Sequence, residues 1–255
     1  MKIIAVSNQK GGVGKTTVAT NLAYGLQLRG KNVLLVDCDP QGNSSDTWRA
    51  IRNDDNYPTL SDVLFENTPV EKCIQHTEAG DILAADKELA NIEKHLPGFK
   101  GFYRLRECLN PLREKYDHII LDTNPHILLL LQNALIASDG VILPVIAGAY
   151  EVDGMMDFVE TIADVKSLPN PNLALLGIVI AEFDARKNID KELREGLPNV
   201  AKMMGTIAFD TLIRTNADVS NAQKNKMTIH EYNPSCNAAV DYMSFIEELE
   251  GRGMI

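Results

Sequence analysis

The chain begins with a short apolar run, Ile3-Ile4-Ala5-Val6, and within a few residues enters Gln9-Lys10-Gly11-Gly12-Val13-Gly14-Lys15-Thr16-Thr17, after which helical periodicity starts. Strand, glycine-rich loop and helix in immediate succession constrain the fold more than any other feature of the sequence. Glycines let the backbone curl until several N–H groups face one anion, and the following helix adds roughly half a positive charge at its N-terminus. Gly11, Gly12, Val13, Gly14, Lys15, Thr16 and Thr17 are therefore the candidate phosphate cradle. Lys15 is placed to reach the terminal phosphates and the Thr16 hydroxyl to bind Mg²⁺.

Further along, short Val/Ile/Leu runs alternate with amphipathic stretches, the pattern of βαβ units building a mainly parallel sheet buried on both faces. Strands are expected at residues 3–7, 33–37, 82–84, 118–122, 141–145, 174–180 and 205–208. Helices are expected at 16–28, 101–115, 153–167, 190–197 and 237–249, with Gly30 as a C-cap of the first. Residues 38–59, polar and rich in Asp, Asn and Ser, read as an excursion over the surface. No linker, repeat or low-complexity segment interrupts the chain, so the expectation is one α/β domain over residues 1–255, a P-loop fold whose twisted, mainly parallel sheet has helices on both faces, with no N-terminal helix-turn-helix.

The strict phosphate-loop pattern fails at one position, because its first glycine falls on Gln9 and a second lysine, Lys10, follows. Lys10-Gly11-Gly12-Val13-Gly14-Lys15-Thr16-Thr17 resembles the deviant Walker A motif of the ParA/MinD superfamily. Val36-Asp37-Cys38-Asp39-Pro40-Gln41-Gly42-Asn43 resembles the second signature of partition ATPases, and Ile119-Ile120-Leu121-Asp122-Thr123 their Walker B strand. Residues 132–145, Ile213-Arg214, Ala222 and Glu231-Tyr232 extend the likeness over nearly the whole chain. The resemblance implies ATP and Mg²⁺ as cofactors and slow, partner-stimulated hydrolysis of ATP that controls an ATP-dependent homodimer. It implies that Lys10 reaches across the dimer to the phosphates bound by the other subunit, forming with Lys15 and Asp39 the catalytic set. A carboxylate at a strand end can hold metal or orient the attacking water. Asp122 and Thr16 are thus assigned to Mg²⁺, Asp37 to supporting metal coordination and Asp39 to the water.

The formal charge of −10 argues against nucleic acid when taken alone, but residues 183–226 carry eight basic and six acidic side chains. The family resemblance points to a surface for non-specific double-stranded DNA there: Arg186 and Arg214 first, then Lys187, Lys224 and Lys226. It also implies a ParB-like centromere-binding adaptor as partner and a cytoplasmic, nucleoid-associated protein.

Other readings share the fold. A positioning ATPase for another cargo has the same motifs. A MinD-like membrane oscillator would end in a basic amphipathic helix, whereas Phe245-Ile246-Glu247-Glu248-Leu249-Glu250 is acidic, so no membrane partner is expected. A metabolic ligase resembling dethiobiotin synthetase would need a second polar constellation for its substrate. Cys38, Cys73, Cys108 and Cys236 lack the paired spacing of zinc or iron–sulfur ligands, and no companion at metal spacing accompanies His126. Where the family pattern has two prolines after Asp122, this chain reads Thr123-Asn124-Pro125, and the lost proline is expected to loosen that segment.

Overall fold

The computed structural model describes residues 1–52, 54, 56–96, 98–148 and 152–255. In chain order the regular elements are β1 (Lys2–Val6), α1 (Lys15–Leu28), β2 (Val33–Cys38), α2 (Asn43–Thr47), α3 (Leu60–Phe65), α4 (Val70–Cys73), β3 (Ile74–Thr77) and β4 (Gly80–Leu83). They continue with α5 (Ile92–His95), α6 (Arg104–Leu109), β5 (His118–Thr123), α7 (Leu128–Ala137), β6 (Gly140–Val145), α8 (Val152–Ser167), β7 (Ala174–Phe183), α9 (Asn188–Met203), β8 (Ala208–Arg214), α10 (Ala217–Lys224), α11 (Ile229–Tyr232) and α12 (Asn237–Gly251).

The strands form one eight-stranded sheet in the order β3-β4-β2-β5-β1-β6-β7-β8. Among the described residues only the β3–β4 pair is antiparallel. Period-2 alternation along β1 serves both faces at once: Ile3 and Ala5 belong to one core cluster with Leu130, Phe158 and Leu197 of α7, α8 and α9, while Ile4 and Val6 belong to a second with Leu22 and Phe245 of α1 and α12. Helices thus cover both faces, as expected for a parallel sheet.

Several boundaries differ from the sequence expectation. β8 begins where residues 205–208 were expected to end, because as an edge strand it alternates buried Phe209 and Ile213 with exposed Asp210 and Arg214 rather than running apolar throughout. The polar edge strand β3 and the helix α7 were not expected; α7 is apolar on nearly every side and has no amphipathic stripe to read. The expected helix 101–115 breaks into α6 between short 3₁₀ turns, the second holding Pro111. Residues 38–59 are a surface excursion only in part: Ile51, Asp54, Asn56 and Tyr57 are exposed, whereas Ser44, Ser45 and Trp48 are fully buried and α2 sits against α1. Gly30 does stop α1, at φ 79°, its N–H donating to the Gln27 carbonyl at 2.8 Å.

Parallel pairing puts the C-terminal ends of the strands on one edge. There Asp37 of β2 stands beside Asp122 of β5, Val6 of β1 pairs with the same Asp122, and Phe183 of β7 pairs with Arg214 of β8.

Candidate nucleotide site

At the exit of β1 the loop takes left-handed backbone at Gly12 (φ 72°) and Gly14 (φ 84°), which a side chain would strain at either position. Gly14 is the N-cap of α1, so the helix opens directly under the loop. The loop is tethered on its other side: Asn8 Nδ2 donates to the Pro144 carbonyl at 2.9 Å while its Oδ1 accepts from the Lys10 N–H at 2.9 Å.

Lys15 is buried, and its Nζ donates to the Lys10 carbonyl at 2.7 Å. Burial lowers its pKa, and the carboxylates of Asp122 and Asp39 oppose that shift. An ammonium in a dry cleft, facing carboxylates and one carbonyl, is a strong partner for anionic oxygens.

Asp122 and Asp37 lie side by side at the strand ends, and neither is exposed to solvent. Burial first, then the Asp37 charge, pushes Asp122 up to about 7; the Ser44 and Thr16 hydroxyls act in the other direction. Asp122 Oδ2 accepts from Ser44 Oγ at 2.7 Å, but its buried Oδ1 has no hydrogen-bond partner of normal geometry among the described residues. An orphaned carboxylate oxygen near a threonine hydroxyl fits Mg²⁺, which takes few protein ligands and fills the rest of its shell with phosphate and water. Asp37, expected in supporting metal coordination, accepts hydrogen bonds at both of its oxygens. Its Oδ2 accepts from the N–H and Oγ of Ser45 at 2.8 and 2.7 Å, and its Oδ1 from the Asp39 N–H at 3.1 Å. Burial holds it up at about 6 despite these bonds. These bonds tie residues 39 and 45 to the end of β2, beside Asp122.

Asp39 begins that loop. Its Oδ1 accepts from the Gln41 N–H at 2.9 Å and from Asn124 Nδ2 at 2.8 Å. Asn124 does not loosen the segment after β5. It is buried, and its Oδ1 accepts from the N–H groups of His126 and Ile127 at 2.7 and 2.9 Å, closing an Asx turn that proline could not make. Exposed His126 lies over Gly11.

Residues invisible to motif reading complete the site. Arg52 donates to the carbonyls of Pro40, Gln41 and Gly42 at 3.2, 3.0 and 3.0 Å and to that of Ala85 at 2.9 Å. A side chain at position 42 would run into its guanidinium. On the far side of the loop a small cavity of about 110 Å³ is lined by Gly14, Thr17, Glu182, Thr215, Asn216 and Gln223. Gln223 Nε2 donates to Thr17 Oγ1 at 2.9 Å, tying α10 to the start of α1. A cavity of about 490 Å³ beside α3 is lined by Asp62, Glu66, Asp86 and Glu88, and that sign of charge repels phosphate.

The basic candidates are exposed but not alike. Arg186 stands at the β7 end of the edge, paired to Asp184 at 2.8 Å with 89% of its side chain exposed. Lys187 adjoins it at the N-cap of α9. Arg214 is locked by its Nε and Nη2 onto the buried carboxylate of Asp241, at 2.6 Å for the shortest bond, and so fastens β8 to α12. Lys224 ends α10, while Lys226 is apart from the edge cluster, 3.6 Å from Asp46 of α2. No helix among the described residues is long and apolar enough to cross a membrane.

A glycine loop opening a helix at the central strand, a buried lysine above it and a metal-ready aspartate on the neighbouring strand define a P-loop nucleotide-binding enzyme. The comparisons narrow the class. Residues 1–175 match a family model described as AAA domain. The chain is 35% identical to the sporulation initiation inhibitor protein Soj of Bacillus subtilis, over 99% of both chains. It is 32% identical to the chromosome partitioning protein ParA of Caulobacter vibrioides, over 99% of this chain and 95% of that one. Among solved structures, cobyrinic acid a,c-diamide synthase of Mycobacterium smegmatis with bound ADP and magnesium superposes with a TM-score of 0.84 at 27% identity, covering 100% of this chain and 96% of the other. The chain belongs to the ParA/Soj family of partitioning ATPases within the ParA/MinD superfamily. It is an ATP-hydrolysing enzyme that uses Mg²⁺.

Proposed function

We propose that this protein segregates plasmid or chromosomal DNA as a nucleotide-controlled dimer, binding non-specific double-stranded DNA in its ATP state and letting go after slow, partner-stimulated hydrolysis. One observation carries the reading. Arg186 and Lys187 follow the C-terminal end of β7 and Arg214 is the last residue of β8, on the sheet edge that also bears the phosphate loop. Two copies joined over their nucleotides at that edge would bring two basic sets together, and electrostatic binding to a duplex gains with each phosphate neutralised.

In this reading Gly11 to Thr17 cradle the phosphates with Lys15, and Thr16 and Asp122 hold Mg²⁺, which offsets charge on the transferring phosphoryl group. Asp37 supports Asp122 from behind, Asp39 orients the attacking water, and Lys10 reaches the partner copy's phosphates. Lys224 and Lys226 are outlying DNA contacts. Because the chain is similar to Soj and ParA, the stimulating partner is a ParB-like centromere-binding adaptor, and the place of action is the nucleoid in the cytoplasm. An amide-forming synthase shares the fold, but fold does not decide function, and the partition proteins are the more similar in sequence.

Light scattering on an Asp39→Ala variant tests the switch. The expected mass is a dimer with ATP and Mg²⁺ and a monomer with ADP, while Lys10→Ala stays monomeric with ATP bound. An Asp39→Ala protein that binds ATP yet remains a monomer would overturn the assignment.

A further inference from the structure

We propose that Asn124 is a positioning residue for ATP hydrolysis, a strut that fixes the Asp39 carboxylate by joining the loop after β2 to the turn after β5. The inference rests on the water-orienting role given to Asp39 above.

The register makes the strut possible. Asp37 pairs with Asp122 and Cys38 with Thr123, so the chains leaving the two strands start as neighbours, and residues 39 and 124 are the next on each side. Asn124 uses both ends of its amide there. Nδ2 donates to Asp39 Oδ1 at 2.8 Å, and Oδ1 accepts from the N–H groups of His126 and Ile127 at 2.7 and 2.9 Å. The residue is 7% exposed, so water does not compete freely for these bonds. On the Asp39 side, the Gln41 N–H at 2.9 Å shares Oδ1, and no hydrogen bond from the described residues reaches Oδ2.

The consequence is geometric. A carboxylate on a loop would sample several staggered rotamers, and a water-orienting group works only when it is held near one. With Oδ1 fixed by two donors, Oδ2 is the oxygen free to accept from a water. The same amide makes the position of Asp39 depend on the turn at 124–127, so the two loops move as one body. Among the described residues Asn124 makes no hydrogen bond to the phosphate cradle or to the orphaned oxygen of Asp122, so the strut acts on turnover and not on nucleotide affinity.

Asn124→Ala removes both ends of the strut. Asn124→Ser is the gentler variant: its hydroxyl can still accept from the backbone N–H groups of the turn but is too short to reach Asp39. Steady-state hydrolysis and ATP affinity by calorimetry are measured for both, for Asp39→Ala and for the Asp39→Ala/Asn124→Ala double variant. We expect kcat about tenfold or more below wild type for both single Asn124 variants, with ATP affinity within about twofold. In the Asp39→Ala background, removal of Asn124 should cost nothing further, because a strut without its load does nothing. Wild-type kcat in Asn124→Ser, or an equal loss of rate in the presence and absence of Asp39, overturns the positioning role while leaving that of Asp39 intact. Wild-type hydrolysis by Asp39→Ala overturns the Asp39 reading itself, and the strut with it.

Discussion

The two ends of the functional sheet edge are built differently. At β1, β2 and β5 the charged groups are buried and over-determined: Lys15, Asp37 and Asp122 are at most 8% exposed, and backbone groups, hydroxyls and Arg52 fix what surrounds them. At β7 and β8 the charged groups stand in solvent, and those that are held are held by one carboxylate each, Arg186 by Asp184 and Arg214 by Asp241. Buried charge without a partner is costly, so the first region gains strongly from a cation and a polyanion. The second gains little from any one contact, and a useful affinity needs several summed together.

That contrast predicts very unequal effects of substitution. Lys15→Ala should reduce ATP–Mg²⁺ affinity by about a thousandfold or more, since the loop loses its buried cation. Calorimetry checks this, and unchanged affinity would break the comparison at its stronger end.

At the exposed end, Arg186→Ala/Lys187→Ala should weaken duplex binding by roughly tenfold at low salt and flatten the dependence of log affinity on log salt, with ATP-driven dimerisation unchanged. Arg214→Ala should behave differently. It leaves the buried Asp241 carboxylate without its guanidinium, so a lower Tm should accompany any loss of DNA affinity. A salt titration and a melting curve separate the two variants. Equal Tm losses in both would show that the basic cluster is one structural unit.

The smallest expected effect is on stability and concerns Asp122. In the unfolded chain this carboxyl ionises near its ordinary value of 3.8, whereas the folded protein keeps its proton up to about 7. Between those values the native state binds more protons than the unfolded one, so metal-free stability falls as pH rises through that window. Asp122→Asn should flatten the fall and raise the metal-free Tm at pH 8 by about 2–4 °C, while Mg²⁺ no longer assists ATP binding. Melting curves at pH 5 and pH 8 in chelator check the sign; a wild-type protein more stable at pH 8 would contradict it.

The same contrast explains what the sequence could tell. The phosphate loop was legible because its chemistry is local: the glycines, Lys15 and Thr16 are contiguous, and strand and helix follow from the flanking pattern. Asp37, Asp39 and Asp122 were legible as strand-end carboxylates. Their division of labour was not, because the bonds from Ser45 to Asp37 and from Ser44 to Asp122 depend on α2 folding inward beneath buried Trp48. Arg52 acts through positions 40–42, 46 and 85, and Asn124 through positions 39, 126 and 127, contacts that no periodicity encodes. Asn124 read as a lost proline and therefore as looseness, when its side chain supplies bonds that proline lacks. Arg214 reads as a DNA contact from the family resemblance, while its pairing with Asp241 emerges only when α12 packs on β8.

The central claim is that nucleotide state controls the grip on DNA, and the direct measurement is the affinity of the wild-type protein for a duplex of arbitrary sequence with ATP, with ADP and without nucleotide, each with Mg²⁺ over a salt series. The account predicts binding with ATP that ignores sequence and weakens steeply with salt, and poor binding in the other two states. No duplex binding with ATP even at low salt, or equal binding in all three states, would contradict it.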